Sequence, residues 1–331
     1  MSELRAILGD TTEKVLGGSA GLDFASAWAK VEEAGLAKVL VGEDSGGFGG
    51  GWEDALVVVR ACGRHAVALP LPEAILASRL CAGAHLVLPD RALSLSAFTD
   101  GRVQNGRFSG EMRRVAFGAN ADRVAALCGG VLLIASRERA MVEERENLAG
   151  EGRDTLRFAD APVQAAPINH WDGDRLYRAC AMLRAAQMAG ALDAALALSV
   201  QYTRERLQFG KPLASFQAIQ QQLAVLAEET AASGMTAASA FRAADLTADD
   251  GCEFEIGCAK LRANQAARIS TAIAHQVHGA MGFTAEYRLQ HLTRRLWAWS
   301  SEFGNERHWA ERIGARVAAR GPANFWLDLV G

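Results

Sequence analysis

One predicted long helix of the sequence ends in a cluster of cationic and aromatic side chains. The stretch RERLQFGKP carries Arg206 and Phe209 near the helix end, and Gly210 and Pro212 stop the helix. An arginine fork grips a pyrophosphate well, and an aromatic ring beside it can cover an apolar face. The alternative is a basic helix end that only complements the helix dipole. These residue types therefore fit either an anion site or a helix cap.

A second predicted helix ends in the segment HGAMGF, which begins at His278. Residues with so little side chain let a flat ligand approach the backbone. His275 and His278 stand three residues apart, a spacing that metal ligands use, yet no HExxH motif and no obvious carboxylate accompany them. We therefore predict no metal site in this segment.

A third segment, LWAWSSEFGNERHW, concentrates three tryptophans and two glutamates, one of which is Glu302. A carboxylate held among aromatic rings has a raised pKa and can act as a base near neutral pH. A tryptophan-rich helix is otherwise typical of core packing.

The glycine-rich loop from Gly42 to Gly51 has neither the GK[ST] ending of a phosphate loop nor a complete GxGxxG pattern. We predict a tight turn there.

The elements that must position these residues fall into three regions. Apolar residues recur at helical spacing in the first region, short apolar runs alternate with turn signals in the second, and long helical segments fill the third. Asp100-Gly101 and Asn105-Gly106 are hairpin signals in the second region. We predict a mostly helical α+β protein with an N-terminal helical domain (1–88), a small middle antiparallel β-barrel (89–168) and a C-terminal up-and-down helical bundle (169–331).

Composition bounds the class of protein. The 331 residues are 50% hydrophobic with a formal net charge of -3, which excludes a disordered chain and argues against nucleic acid as the main partner. No apolar run reaches the ~18 residues of a membrane span, and the N-terminus lacks a signal-peptide core, so we expect no membrane span. The six cysteines are scattered without CxxC pairs, which indicates reduced core cysteines of a cytoplasmic protein.

Two of these segments together resemble the FAD-dependent acyl-CoA dehydrogenases. RERLQFGKPLASFQAIQQQ is similar to that family's Arg-x-x-Phe-Gly-Lys segment followed by Phe-Gln-x-x-Gln. QVHGAMGFTAEYRLQHLTRR resembles its Gln-x-x-Gly-Gly-x-Gly-Phe segment followed by an arginine pair. Their order and spacing are those of the family, and so is the helix–β–helix order of domains. The short length resembles the subunits of bacterial heteromeric acyl-CoA dehydrogenases that break down steroid-like acyl-CoAs.

The resemblance implies a reaction and its partners. A glutamate removes the α-proton of an acyl-CoA thioester, the β-hydrogen leaves as hydride to flavin N5, and reduced FAD passes electrons to an electron-transfer flavoprotein. By the same resemblance, Arg206, Gln208 and Phe209 contact the pyrophosphate and adenine of FAD. The remaining cofactor positions are Leu213, Phe216 and Ile219 beside the same FAD, and Gln276, Gly279 and Ala280 toward the FAD of a neighbouring subunit. The complete site then needs a homo-oligomer or a heterotetramer with a longer homologue.

The chain departs from the family pattern at two places. The flavin-facing signatures of the middle domain are absent, and Ser96 and Thr99, or Ala116 and Ala119, stand in their positions. The usual position of the base falls at Phe303, and a gap of one residue would make Glu302 the base. The family's alternative base position falls at Cys180, which cannot serve as a carboxylate.

Three functions therefore stay open. The first is an FAD-dependent acyl-CoA dehydrogenase that uses Glu302 as its base. The second is a catalytically incomplete subunit that completes the FAD site of a longer partner chain. The third is a helical scaffold protein without a ligand, which the paired motifs disfavour. The acyl group is not determined, because chain-length preference depends on cavity depth between helices.

Overall fold

The computed structural model of the protein describes residues 3–247, 251–321 and 324. Tertiary contacts divide the chain into two compact units, of which the first ends at Cys180 and the second begins at Ala181. The first unit holds four helices and a sheet, and the fifth helix runs from it into the second. The helices of the first unit are α1 (Glu3–Gly17), α2 (Phe24–Glu33), α3 (Trp52–His65) and α4 (Leu71–Gly83).

Local signals account for these first helices. The Asp23 side chain caps α2 by accepting a hydrogen bond from the backbone N–H of Ser26 at 2.9 Å. Trp28 and Val31 are buried, as their helical spacing predicts. In the glycine-rich loop, a Cβ on Gly47 would stand 2.2 Å from the carbonyl oxygen of Val41. That close approach confirms the predicted tight turn.

The sheet curls into a half-barrel, which confirms the predicted fold class. Its strand order is β1-β4-β5-β7-β3-β2, with β6 paired to β7. All pairs are antiparallel except β1 with β4, which are parallel because the β2–β3 hairpin lies between them in the chain. The strands are β1 (Leu93–Ser96), β2 (Phe98–Gln104), β3 (Arg107–Ala116), β4 (Arg123–Cys128), β5 (Val131–Ser136), β6 (Ala140–Glu143) and β7 (Arg153–Pro167).

One of the two predicted hairpin turns is confirmed and the other is wrong. Asn105 and Gly106 join β2 to β3 with φ values of 48° and 70°, as a tight turn between twisted strands requires. Asp100 and Gly101 instead lie within β2. Gly101 pairs with Gly110 on β3, where a Cβ would stand 2.6 Å from the Cα of Gly101. Gly101 therefore allows β2 and β3 to approach each other closely.

Long helices follow the sheet, as predicted for the third region. They are α5 (Gly173–Glu205), α6 (Gln217–Leu246), α7 (Glu253–His278), α8 (Leu289–Ser301) and α9 (Glu306–Arg320). Helix α9 is separate from α8, and the Asn305 side chain caps it by accepting from the N–H of His308 at 2.9 Å. The turn between these two helices carries Glu302.

Two further expectations concern the chain as a whole. All six cysteines are free thiols, and Cys62, Cys81, Cys180 and Cys252 are buried. Across the residues that the structure describes, no helix has both the length and the apolar character to cross a membrane.

Candidate functional site

The RERLQFGKP segment forms a small hairpin at the end of α5. Strands β8 (Leu207–Gln208) and β9 (Lys211–Pro212) flank a turn in which Phe209 and Gly210 have φ values of 52° and 80°. The N–H of Leu213 donates to the carbonyl of Arg206 at 2.9 Å and closes the hairpin. Arg206 and Gln208 are exposed, and Phe209 is 91% exposed. The hairpin thus presents a cation, an amide and an aromatic ring to solvent.

The start of α6 packs against this hairpin. The rings of Phe209 and Phe216 meet edge to face with centroids 6.1 Å apart, and the Lys211 Nζ lies 4.4 Å from the Phe216 centroid. Leu213, Phe216 and Ile219 are half-buried. The six predicted cofactor residues of this motif therefore lie in one continuous stretch of hairpin and helix start.

The other predicted cofactor segment is the end of α7. Gln276, Gly279 and Ala280 are exposed. Gly279 has φ 58° and ψ -140°, a backbone conformation that favours glycine. No atom lies within 4 Å of the position of a Cβ on Gly279. The backbone is therefore open to a ligand on that side.

A ring stack joins the two motifs within one chain. Tyr202, on the last turn of α5, stacks on His278 with centroids 4.5 Å apart and planes 26° apart. The N–H of Arg206 donates to the carbonyl of Tyr202 at 2.8 Å, and His278 directly precedes Gly279. The hydroxyl of Tyr287 lies 3.2 Å from the His278 Nε2. Sequence reasoning missed Tyr202, because its partner lies on another helix.

His278 is held as a structural imidazole. Its Nδ1 donates to the carbonyl of Ala274 at 2.8 Å. Burial lowers the pKa of His278 below that of a free histidine. His275, one turn earlier, stacks between Phe283 (4.2 Å) and Trp297 (5.5 Å), and burial lowers its pKa too. In the described part of the chain, no group of three or more potential metal ligands comes together.

The donor chemistry of these segments fits a dinucleotide cofactor. FAD carries a pyrophosphate and two flat ring systems, so its site needs cationic or N–H donors beside aromatic or bare backbone surface. Arg206 and Gln208 supply donors, Phe209 supplies a ring, and Gly279 leaves open backbone. All of these groups face solvent, so each segment covers only part of such a ligand.

The candidate base, Glu302, lies in an ion pair. Its Oε2 is 3.0 Å from the Nη2 of Arg184 on α5, and the two side chains are only 16% and 4% exposed. The Arg184 guanidinium also lies over the rings of Trp299 (5.4 Å) and Phe303 (5.7 Å). A guanidinium in this position stabilises the carboxylate and opposes its protonation.

Arg184 is a residue that sequence reasoning missed. The available signal was a single charge within AMLRAAQMAG, an otherwise apolar stretch of a long helix. A charged residue is rarely buried unless it is paired, so such a position predicts a partner. The partner, Glu302, lies far away in the sequence, so the stretch itself does not identify it.

Two of the four middle-domain positions that would replace the missing flavin signatures, Ser96 and Ala119, make internal hydrogen bonds, whereas the buried Thr99 hydroxyl has no partner among the described residues. The Ser96 hydroxyl lies 3.2 Å from the carbonyl oxygens of both Phe98 and Arg113. The N–H of Ala119 donates to the Asp154 carboxylate at 2.8 Å. Thr99 lies in β2, and Ala116 ends β3. Ser96 and Ala119 therefore use their polar groups within the sheet.

Comparison with known proteins points to one family. The profile of the acyl-CoA dehydrogenase C-terminal domain matches residues 179–318. The acyl-CoA dehydrogenase IpdE2 of Mycolicibacterium smegmatis is 27% identical over 286 residues, which are 86% of each chain. Residues 179–318 thus match the C-terminal domain of the acyl-CoA dehydrogenases, and most of the chain is similar to members of that family. This similarity confirms the resemblance seen in the two C-terminal segments.

Other similar proteins match this chain over different shares of their length. The acryloyl-CoA reductase (NADH) of Anaerotignum propionicum is 35% identical over 161 residues, 46% of this chain and 40% of that one. A chain of the ChsE4-ChsE5 complex from Mycobacterium tuberculosis has the same fold, with a TM-score of 0.82 at 21% identity. That match covers 97% of this chain and 99% of the other chain.

Proposed function

We propose that this chain binds FAD and takes part in the α,β-dehydrogenation of an acyl-CoA thioester. The observation that carries the proposal is the joining of the two motifs through the Tyr202–His278 stack. That contact gathers the exposed Arg206, Phe209 and Gly279 backbone at one end of the bundle. Bound FAD would supply the hydride acceptor for the β-hydrogen of the substrate.

The chain's own residues would bind and orient the cofactor. Arg206 and Gln208 would hold the pyrophosphate, and Phe209 would cover the adenine or a neighbouring apolar face. Gln276, Gly279 and Ala280 would extend toward a cofactor held by another chain. Because both segments face solvent, a second chain must close the site and exclude water.

A second candidate function rests on the Arg184–Glu302 ion pair. A base must give up its stabilisation as a carboxylate when it takes a proton, and the buried guanidinium opposes this. Together with the internal contacts of Ser96 and Ala119, the pair favours a subunit without its own base. Such a subunit would complete the site of a longer homologue that supplies the base.

The partners follow from the same proposal. An acyl-CoA is the substrate, an electron-transfer flavoprotein is the acceptor, and the cytoplasm is the location. The assembly is a homo-oligomer in the first candidate and a heterotetramer with a longer homologue in the second. IpdE2 is named an acyl-CoA dehydrogenase, which supports the reaction class, and the ChsE4-ChsE5 structure is that of a complex, which supports the second candidate.

One experiment separates the candidates. The chain is purified alone and also co-expressed with a longer acyl-CoA dehydrogenase homologue from the same organism, and FAD is measured by its visible absorbance. About one FAD per chain in the protein alone supports the first candidate. Flavin only in the co-expressed pair, at half occupancy, supports the second. Protein that stays colourless in both preparations with added FAD contradicts the proposal.

A further inference from the structure

The turn between α8 and α9 is held from inside the bundle by a single buried lysine. Lys260 on α7 is completely buried. Its Nζ donates to the carbonyls of Trp299 at 3.2 Å and Gly304 at 2.9 Å, and to the Asn264 side-chain oxygen at 2.7 Å. The carbonyl of Ser300 lies 3.4 Å away. The ammonium therefore joins backbone on both sides of Glu302.

The turn has a backbone that needs such support. Phe303 has φ 54°, a left-handed conformation that costs a bulky residue about 1 kcal/mol or more. Trp309 Nε1 donates to the Phe303 carbonyl at 2.9 Å, and Asn264 Nδ2 donates to the Gly304 carbonyl at 3.2 Å. Strained turns persist where surrounding contacts over-determine them, and they occur often at functional sites.

Three polar groups face the Lys260 ammonium besides the backbone. Asn264 comes from its own helix, Arg184 from α5, and Glu302 from the turn. Burial, and then the positive charge of Arg184, lower the pKa of Lys260 to about 7, while Glu302 acts in the opposite direction. A buried ammonium is unfavourable unless its N–H donors are paired, and the three acceptors at Asn264, Trp299 and Gly304 pair those of Lys260.

We propose that Lys260 is a positioning residue that fixes the turn carrying Glu302 and so places the Glu302 carboxylate against Arg184. The clamp stands on the hydrogen bonds above and does not depend on any cofactor. The consequence of the clamp for catalysis rests on the proposed function. Lys260 would either position Glu302 as a base or hold the Glu302 carboxylate in its ion pair with Arg184.

Hydrogen–deuterium exchange read by mass spectrometry tests the clamp in the full-length protein. The reporter is the N–H of Glu302, which donates to the Trp299 carbonyl at 3.2 Å. Lys260→Met is compared with Arg262→Met, which removes another α7 cation that pairs with Glu229 at 2.6 Å. Exchange in the Glu302 turn should rise about tenfold or more in Lys260→Met and stay native in Arg262→Met.

The alternatives have separate readouts. If Lys260→Met does not fold, Lys260→Gln, which keeps an amide donor, carries the test, and its exchange should lie between native and tenfold faster. Native exchange of the turn in either folded variant overturns the clamp. For the first candidate function, in which Glu302 is the base, the clamp predicts a slower flavin reduction by acyl-CoA in Lys260→Met under anaerobic conditions, with unchanged binding of acyl-CoA. A native protein that binds no flavin, either alone or co-expressed with a longer homologue, refutes the proposed function, while the exchange result still decides the role of Lys260.

Discussion

The carboxylate of Glu302 and the guanidinium of Arg184 lie 3.0 Å apart inside the second unit, and the guanidinium also lies over the rings of Trp299 and Phe303. This ion pair determines whether the Glu302 carboxylate can readily take up a proton, as a catalytic base must. A carboxylate among aromatic rings alone would be easily protonated, whereas one beside a buried guanidinium is stabilised as an anion. Aromatic neighbours therefore do not favour protonation of Glu302 here, because the Arg184 cation stabilises its carboxylate.

The ion pair should be strongly coupled in unfolding experiments. Removing one partner leaves the other charge buried, so Arg184→Met should lower the free energy of unfolding by about 3 kcal/mol. Arg184→Met combined with Glu302→Gln should recover part of this loss in urea titrations. The control is Arg268→Met, which loses an exposed pair with Glu306 at 3.7 Å and should change stability by less than about 1 kcal/mol. Strictly additive effects of the two buried substitutions would contradict the coupling.

The role of Glu302 in catalysis can be decided by one isosteric change. If Glu302 is the base, Glu302→Gln should slow acyl-CoA reduction of the flavin by about 100-fold or more and leave FAD bound. Rapid-mixing absorbance at the flavin band under anaerobic conditions measures this rate. Glu306→Gln, four residues later on α9, is the control. An unchanged rate in Glu302→Gln would remove Glu302 from the mechanism and favour a base from a partner chain.

The cationic hairpin should carry much of the affinity for FAD. Arg206→Ala removes a charge-assisted contact, so the dissociation constant of FAD should rise about tenfold or more. Flavin fluorescence in an equilibrium titration measures this constant. Arg204→Ala, two positions earlier and also exposed, is the matched control and should bind FAD nearly as well as the native protein. Full retention of affinity in Arg206→Ala contradicts its assignment to the pyrophosphate.

The buried His278 should make stability fall at acid pH. Its pKa in the folded protein is lowered by burial, so the unfolded chain takes up the proton first as the pH falls. The free energy of unfolding is then highest above the pKa of a free histidine and decreases as the pH falls through the folded value. Urea titrations at pH 7.5 and pH 5.5 should show a smaller loss in His278→Gln than in the native protein. His170→Asn, at an exposed histidine, should keep the native loss; equal losses in His278→Gln and the native protein would exclude this role.

The part of the site that could be predicted consists of contiguous motifs. Arg206, Gln208 and Phe209 stand in one hairpin, and Gln276 and Gly279 share one helix end, so sequence spacing places each set correctly. The joining of the two sets by Tyr202 and His278 could not be predicted, because it depends on how α5 and α7 pack. Their functional roles stay predictions until the flavin experiments are done.

The sequence by itself determined the order of helical and β regions, the Asn105–Gly106 turn and the resemblance to the acyl-CoA dehydrogenases, since periodicity, turn chemistry and motif spacing are local properties. Only the tertiary structure decided that Gly101 belongs to a strand, that Arg184 meets Glu302 and that Lys260 is buried. In the segment IGCAKLRANQ, a lysine reads as a solvated position on a helix. Its burial depends on carbonyl groups about forty residues away that accept its N–H donors, and contacts at such separation are fixed by packing rather than by local sequence.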